Sequence, residues 1–312
     1  MDFYDLRTNA RTAPPASAPV VALGNFDGVH LGHQKLLYEA VRLSLGMRGT
    51  VPIVWTFDVT PRAVVTGQPV PTLSTLTERM EQFRRCGIAY AAIESFEAVR
   101  GLTPEAFVDT VLCGKLRASA VVCGFNFRFG RGGAGDVETL SRLLGERNIP
   151  LTVIDPVEVE GTVVSSTHIR SLIAAGETEE AQKFLGYAYF FDGIVRHGKH
   201  LGTDIGFPTV NLAVEPDRLL PKNGIYCTTV DIGEDVYVGV TNVGSRPTVN
   251  DDGSDVTVET HIVGTDEILY GRRIRVNFYR RLRDEQKFDS LDDLRAAIEA
   301  DKKHAEEYFC FL

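Results

Sequence analysis

Residues 24–33 read Gly-Asn-Phe-Asp-Gly-Val-His-Leu-Gly-His, and they stand where an apolar run, Val20-Val21-Ala22-Leu23, gives way to residues at helical spacing. Gly24 and Gly28 permit a tight turn and close approach of the backbone to a bound group. Beyond the turn, Leu36, Leu37, Ala40 and Val41 recur with the period of an amphipathic helix. His30 and His33, three residues apart at the start of that helix, share one face. Free N–H groups and the positive end of the helix dipole attract an anion there, a nucleotide's phosphates above all. Two imidazoles beside it supply hydrogen bonds to phosphate oxygens as charge builds on them. The same residues also suit a plain strand-turn-helix with two surface histidines, so the choice falls to the rest of the chain.

Working outward, buried strands are expected at Val51–Phe57, Ala118–Cys123 and Leu151–Asp155. Between them, helices are expected around Leu76, Met80 and Phe83, from the Thr103-Pro104 cap through Leu112, and around Leu140, Leu143 and Leu144 behind Asp136. This alternation predicts a doubly wound parallel sheet with ligands at the carboxyl ends of its strands. Ser165, Ser166 and Thr167 precede a further helix that carries Arg170 and stops at Gly176; they read as a cap cluster or as a second phosphate grip. From Tyr189 the pattern changes to six closely spaced β runs, Tyr189–Val195, Pro208–Leu212, Ile225–Ile232, Val236–Val243, Val256–Val263 and Ile274–Leu282. Turn signals at His197-Gly198, Gly233–Asp235 and Asn250–Gly253 divide them. A six-stranded antiparallel barrel is the expectation, followed by a C-terminal helix from Ser290 toward Phe309. The boundary is drawn at 186/187.

At 312 residues and 44% hydrophobic content, the chain accommodates two globular domains. No apolar run approaches the ~18 residues that span a bilayer, and the N-terminus carries early acids without a hydrophobic centre, so neither a membrane partner nor a secretory signal is expected and the cytoplasm is the expected location. Cys86, Cys113, Cys123, Cys227 and Cys310 are odd in number and form no CxxC pair, which argues for reduced, mostly buried thiols rather than disulfides or zinc. A formal charge of −9 argues against a nucleic-acid surface. Small phosphorylated substrates remain compatible. Oligomeric state stays open, a homo-oligomer included.

In the second half, Thr209 and Asn211 of Gly206-Phe207-Pro208-Thr209-Val210-Asn211 point to one face if the segment is extended, and two hard oxygen donors of that kind suit Mg²⁺ on ATP phosphates. A glycine-proline turn leading into a strand is the simpler reading. Along Val256–Val263, Glu259 and His261 share the polar face, where Glu259 could serve as general base toward an alcohol or stand as an ordinary solvated carboxylate.

Taken together, GNFDGVHLGH, GFNFRFG (124–130), SSTHIR (165–170), GFPTVN (206–211), NVGSRPT (242–248), VETH (258–261) and RLRDEQKF (281–288) resemble, in order and over most of the chain, the bifunctional riboflavin kinase/FAD synthetase family of bacteria. The resemblance implies an N-terminal nucleotidyltransferase domain over 1–186 that adenylylates FMN to FAD, and a riboflavin kinase barrel over 187–312 that makes FMN. ATP, riboflavin, FMN and FAD are the implied substrates and products, with Mg²⁺ as cofactor. It implies that His30, His33 and Arg170 act on the triphosphate, with Gly24, Phe26, Asp27, Gly28, Asn126, Ser165, Ser166 and Thr167 around nucleotide or flavin. In the kinase module it implies that Gly206, Pro208 and Arg283 line the site, Thr209 and Asn211 hold Mg²⁺-ATP, and Glu259 accepts the ribityl 5′-hydroxyl proton. Two positions depart from the family pattern: Thr60 stands where the family usually has histidine, and Thr203 where it usually has a basic residue. Three alternatives follow: a family member with one activity weakened, a nucleotidyltransferase of the same fold acting on another phosphate, and a flavin-binding regulatory protein.

Overall fold

A computed structural model describes residues 2–6, 18–196, 207–245, 256–265 and 269–310. The chain divides into two compact units, Met1–Ser166 and Thr167–Leu312. In the first, strands β1 (Asp2–Asp5), β2 (Pro19–Leu23), β3 (Val51–Phe57), β4 (Tyr90–Glu94), β5 (Ala120–Gly124) and β6 (Leu151–Ile154) form one sheet in the order β1-β4-β3-β2-β5-β6. All its pairings are parallel, with Val21 opposite Ile53 and Val121.

Successive side chains of a strand point to opposite faces, so β2 feeds two cores at once. Val20 and Ala22 pack with Leu36, Leu37 and Ala40 of α1 (Leu31–Gly46), whereas Val21 and Leu23 pack with Trp55, Leu112, Leu140 and Leu143 on the other side. Each fully buried Val or Leu among them contributes about 1.5–3 kcal/mol. α2 (Pro61–Thr66) follows β3, and α3 (Leu76–Arg85) opens with a complete capping box, Thr75 with Glu78. Short α4 (Phe96–Val99) and α5 (Pro104–Phe107) lead into a π-helical turn, Val108–Lys115. α6 (Val137–Gly145) is capped by Asp136, as the sequence suggests. The sequence reading lacks β1, β4 and the small hairpin of β7 (Glu158–Val159) and β8 (Thr162–Val163).

The second unit begins in α7 (Ser166–Ala175), continues through α8 (Thr178–Leu185) and closes six antiparallel strands into a barrel. These are β9 (Tyr189–Arg196), β10 (Thr209–Leu212), β11 (Gly224–Ile232), β12 (Asp235–Ser245), β13 (Val256–Ile262) and β14 (Arg273–Arg283), in cyclic order β10-β13-β12-β11-β14-β9. The division into compact units falls after Ser166, the first residue of α7, so that α8 goes with the barrel. The reason is visible on α8, where the Thr178 hydroxyl donates to the Tyr279 carbonyl at 2.8 Å and Glu179 pairs with Arg280 at 2.7 Å, tying it to β14. The turns expected at 197–198 and 250–253 lie outside the described residues.

Inside the barrel, Tyr189, Phe191, Phe278 and Tyr226 meet edge to face, and Thr228, Thr241 and Thr260 join hydroxyls at 2.8 and 2.9 Å. All three threonines are fully buried, so each depends on its neighbours for hydrogen bonding. Outside, α9 (Leu291–Cys310) lies over Ile225, Cys227 and Val240 through Ala305. Thr241→Val should therefore destabilise the barrel by about 1–3 kcal/mol, since it strands both flanking hydroxyls. The single tryptophan, Trp55, lies in the other unit, so its fluorescence should not follow the change while circular dichroism in urea does.

Candidate functional site

In the α/β unit the sheet reverses direction at β2. The chain steps from β2 to β3 on one side and reaches β5 on the other, so the turns after β2 and β5 leave the carboxyl ends of neighbouring strands. That is where open α/β sheets bind ligands. The first turn carries Gly24–His33 and the second carries Asn126, which is exposed.

The Gly24–His33 turn is strained and firmly held. Phe26, Gly28 and Val29 all have positive φ, at 55°, 79° and 33°. A Cβ at Gly24 would come within 2.9 Å of the Phe26 ring, and one at Gly28 within 2.8 Å of Leu73. Both Asp27 oxygens accept from the Leu73 N–H at 2.9 and 3.2 Å, and one also accepts from the Ser74 N–H at 3.1 Å. The Ser74 hydroxyl in turn accepts from the Gly28 N–H at 2.8 Å. Asp27 and Phe26 are buried, the latter against His33 and Phe83, so both act as scaffold for the turn.

His30 is the N-cap of α1. Its Nδ1 accepts from the His33 N–H at 3.3 Å, which places the neutral ring's proton on Nε2. The two imidazoles stack at 3.6 Å and 13°. Burial holds His33 well below the usual histidine range, assisted by the charges of His30 and Arg79, and its inward Nδ1 has no partner. The stacked pair thus sits at the N-terminus of α1 with a proton on His33 disfavoured.

Arg79 was not legible as a site residue in the sequence. It lies on the inner face of α3, 3% exposed, and donates to the Asn25 carbonyl at 2.9 Å, the Thr56 hydroxyl at 3.3 Å and the Asp58 carbonyl at 3.3 Å. The available signal was an arginine at the spacing of core positions, with Phe83 four residues on. Thr60, in place of the family's usual histidine, caps α2 by accepting from the Ala63 N–H at 3.4 Å. Ser166, the first residue of α7, donates its hydroxyl to the Asp27 carbonyl at 2.9 Å. Thr167 is exposed and Arg170 half-buried on the same helix, and both are grouped with the second unit.

In the barrel, register does what a single strand's pattern cannot. Asn211 stands opposite Glu259, Glu259 opposite Asn242, Asn242 opposite Ile225, and Ile225 opposite Arg283. Directly paired residues share a face, so this is one row across the outer wall. In the next row Thr209 stands opposite His261. A cavity of about 540 Å³ opens over this wall. Thr209, Asn242, Glu259 and His261 border it on the polar side, Ile225 and Val240 form its floor, and Phe288, Leu291, Leu294 and Ile298 close it from above. The Oδ1 of Asn242 is buried without a partner, an oxygen ready for a donor or a cation. His261 Nδ1 donates to the Pro208 carbonyl at 3.0 Å.

Arg283 borders this cavity, but one edge of its guanidinium, Nε and Nη2, meets Asp301 of α9 at 2.7–3.2 Å, so its charge fastens that helix to the barrel. Gly206 lies outside the described residues, as do Thr203 and Arg246–Thr248. Among the described residues no group of three His, Cys, Asp or Glu side chains could hold a metal alone. Cys227, expected to be a buried thiol, is one, its ionisation pushed up to about 11 by burial.

A family model described as FAD synthetase matches residues 13–168, and one described as riboflavin kinase matches residues 185–309. Proteins described as bifunctional riboflavin kinase/FMN adenylyltransferase share the full organisation. That of Listeria monocytogenes is 34% identical over 94% of this chain and 93% of its own, and that of Escherichia coli K12 is 34% identical over 95% and 94%. The Bacillus subtilis protein is 32% identical over 94% of this chain and 93% of its own. A solved structure described as a macrolide-efflux protein from Streptococcus pneumoniae has a TM-score of 0.86 at 29% identity, covering 98% of this chain and 99% of that one. Among the described residues no helix is long and apolar enough to cross a membrane. At 34% identity over 94% of its length, the chain belongs to the bifunctional riboflavin kinase/FMN adenylyltransferase family.

Proposed function

We propose that the barrel unit transfers the γ-phosphoryl group of ATP to the 5′-hydroxyl of riboflavin, and that the α/β unit transfers the adenylyl group of a second ATP to FMN, releasing pyrophosphate. The observation that carries this reading is that each unit has its own polar site suited to phosphoryl chemistry: the stacked His30–His33 pair in one, and Glu259 set between Asn211 and Asn242 beside an apolar-roofed cavity in the other.

In the kinase reaction Glu259 accepts the hydroxyl proton while the apolar wall and roof hold the flavin ring and exclude water. Thr209 and Asn211 are hard oxygen donors on the face of Glu259, and they fit a Mg²⁺ ion that arrives with ATP and takes its remaining ligands from phosphate and water. When bound, that ion would neutralise charge on the transferring group. In the adenylyl reaction His30 donates from Nε2, and His33 supports charge developing around the α-phosphate and the leaving pyrophosphate. Asn126, Ser165 and Ser166 complete the polar boundary. Catalysis in both reactions consists of positioning and charge neutralisation, without a covalent protein intermediate. The acidic overall charge supports small-molecule substrates rather than nucleic acid, and a cytoplasmic setting accords with the absence of disulfide pairing among the described cysteines.

Incubation of the purified protein with riboflavin, ATP and Mg²⁺, followed by chromatography, should yield FMN and then FAD. FMN alone would reassign the α/β unit, and neither product would overturn the proposal. Glu259→Gln should lower FMN formation about 100-fold or more while FAD still forms from supplied FMN. His33→Ala should do the reverse, at a cost of about 10²–10³-fold in FAD formation.

His33 also makes a pH prediction. Its folded form resists protonation, so below the ordinary 6.5 the unfolded chain binds a proton that the folded chain does not. Its stability contribution is therefore full above 6.5 and declines as pH falls below that value toward its depressed folded-state value. The urea midpoint of the α/β unit, read by Trp55 fluorescence, should fall between pH 7 and pH 5, and fall less in His33→Gln.

A further inference from the structure

The guanidinium of Arg79 is almost wholly buried, yet the groups it touches are two backbone carbonyls and one hydroxyl; among the described residues no carboxylate forms an ion pair with it. Its Nε–H is buried and unpartnered. A buried cation without a paired anion is unfavourable unless something else requires the charge. What surrounds it indicates what does. The Asn25 carbonyl belongs to the turn that carries the histidine pair, and it also accepts from the Thr56 hydroxyl at 3.0 Å. The Asp58 carbonyl belongs to the segment leaving β3. Two further buried polar atoms without partners, Asn25 Oδ1 and His33 Nδ1, lie on the same turn and helix start.

We propose that Arg79 is a positioning residue for adenylyl transfer: it clamps the turn after β2 to the end of β3 and places a fixed positive charge within electrostatic range of His33, where the nucleotide's phosphates enter. The charge serves two states. In the free protein, His30 from α1 and Arg79 from α3 both disfavour a proton on His33, while Asp27 and Asp58 act on Arg79 itself. When the polyphosphate arrives, the same charge attracts it, and the added negative charge makes protonation of His33 favourable at the point where the transition state needs it. Arg79 thereby keeps the histidine neutral until substrate is present.

The kinetic arm of the test rests on reading the α/β unit as an adenylyltransferase; the spectroscopic arm does not. In the full-length protein, Arg79→Met should lower the rate of FAD formation from FMN and ATP by about 10²-fold, mainly in kcat. Riboflavin phosphorylation should stay unchanged, and the fluorescence of Trp55, in the same unit as Arg79, reports that this unit is folded. The His33 ring resonances, followed by NMR across pH, should titrate at higher pH in Arg79→Met than in the parent. Arg79→Lys, which keeps the charge, should hold the His33 titration down and recover at least a tenth of kcat. A folded Arg79→Met with FAD formation within twofold of the parent, or with His33 titrating as before, overturns the proposal. Should Arg79→Met not fold, Arg79→Lys decides it: a His33 titration moved upward, or a loss beyond 100-fold, overturns the proposal, and a titration that stays low with the tenth of kcat retained supports it. A parent protein that makes no FAD refutes the adenylyltransferase reading while leaving the titration result to stand or fall separately.

Discussion

The turn between β2 and α1 places three of four consecutive residues at positive φ, one of them the β-branched Val29. At the two non-glycine positions, Phe26 and Val29, such backbone costs about 1–3 kcal/mol each and persists only when its surroundings over-determine it. Here most of the side-chain hydrogen bonds come from one stretch of chain, residues 73–79. Leu73 and Ser74 take the Asp27 carboxylate, the Ser74 hydroxyl takes the Gly28 N–H, and Arg79 takes the Asn25 carbonyl. From the other side the Gln34 amide donates to the Val29 carbonyl at 2.9 Å. The orientation of His30 and His33 follows, because the turn delivers His30 as the cap and the cap fixes its tautomer.

This explains which parts of the α/β site were legible in the sequence. The glycines, the paired histidines and the helix period lie within one short window, where local stereochemistry dominates and spacing carries the information. The clamp does not: Asp27 and Ser74 are 47 residues apart, and Asn25 and Arg79 are 54 apart. Arg79 was hidden further because a charged residue at a core spacing reads as an interruption of the apolar face. Phe26 and Asp27 illustrate the converse. They belong to the signature, and what the fold asks of them is packing and loop anchoring. β1 and β4 escaped for another reason: Asp2–Asp5 is flanked by acids and Tyr90–Glu94 has alanines at its centre, so neither presents the unbroken apolar run of β2.

In the barrel, alternation separated the faces of β13 correctly. Val258, Thr260 and Ile262 are buried inward, and Glu259 and His261 stand outward. What alternation could not supply was register. A shift of one residue between β10 and β13 would send Asn211 and Thr209 to the opposite face from Glu259, and the row would not exist. The closed barrel fixes that register through its neighbours, since β12 sets β13 and β13 sets β10. The threonine chain reinforces it from within: Thr241 and Thr260 are Cα partners as well as hydroxyl partners.

The two sites meet one physical difficulty, a charged group in a partly dehydrated place, in opposite ways. In the barrel Arg283 and Asp301 neutralise each other with matched geometry, so the pair can sit 22% and 6% exposed and serve as a fastening between β14 and α9. A residue committed in that way has little charge left for a substrate, which is why its place in a family signature is better explained by holding the cavity's roof than by gripping phosphate. Arg79 is hydrogen-bonded to neutral oxygens alone; the carboxylates of Asp27 and Asp58 act on it only from beyond ion-pair distance. Position in a motif says that a residue matters; whether its charge is already spent within the fold says what it is available to do.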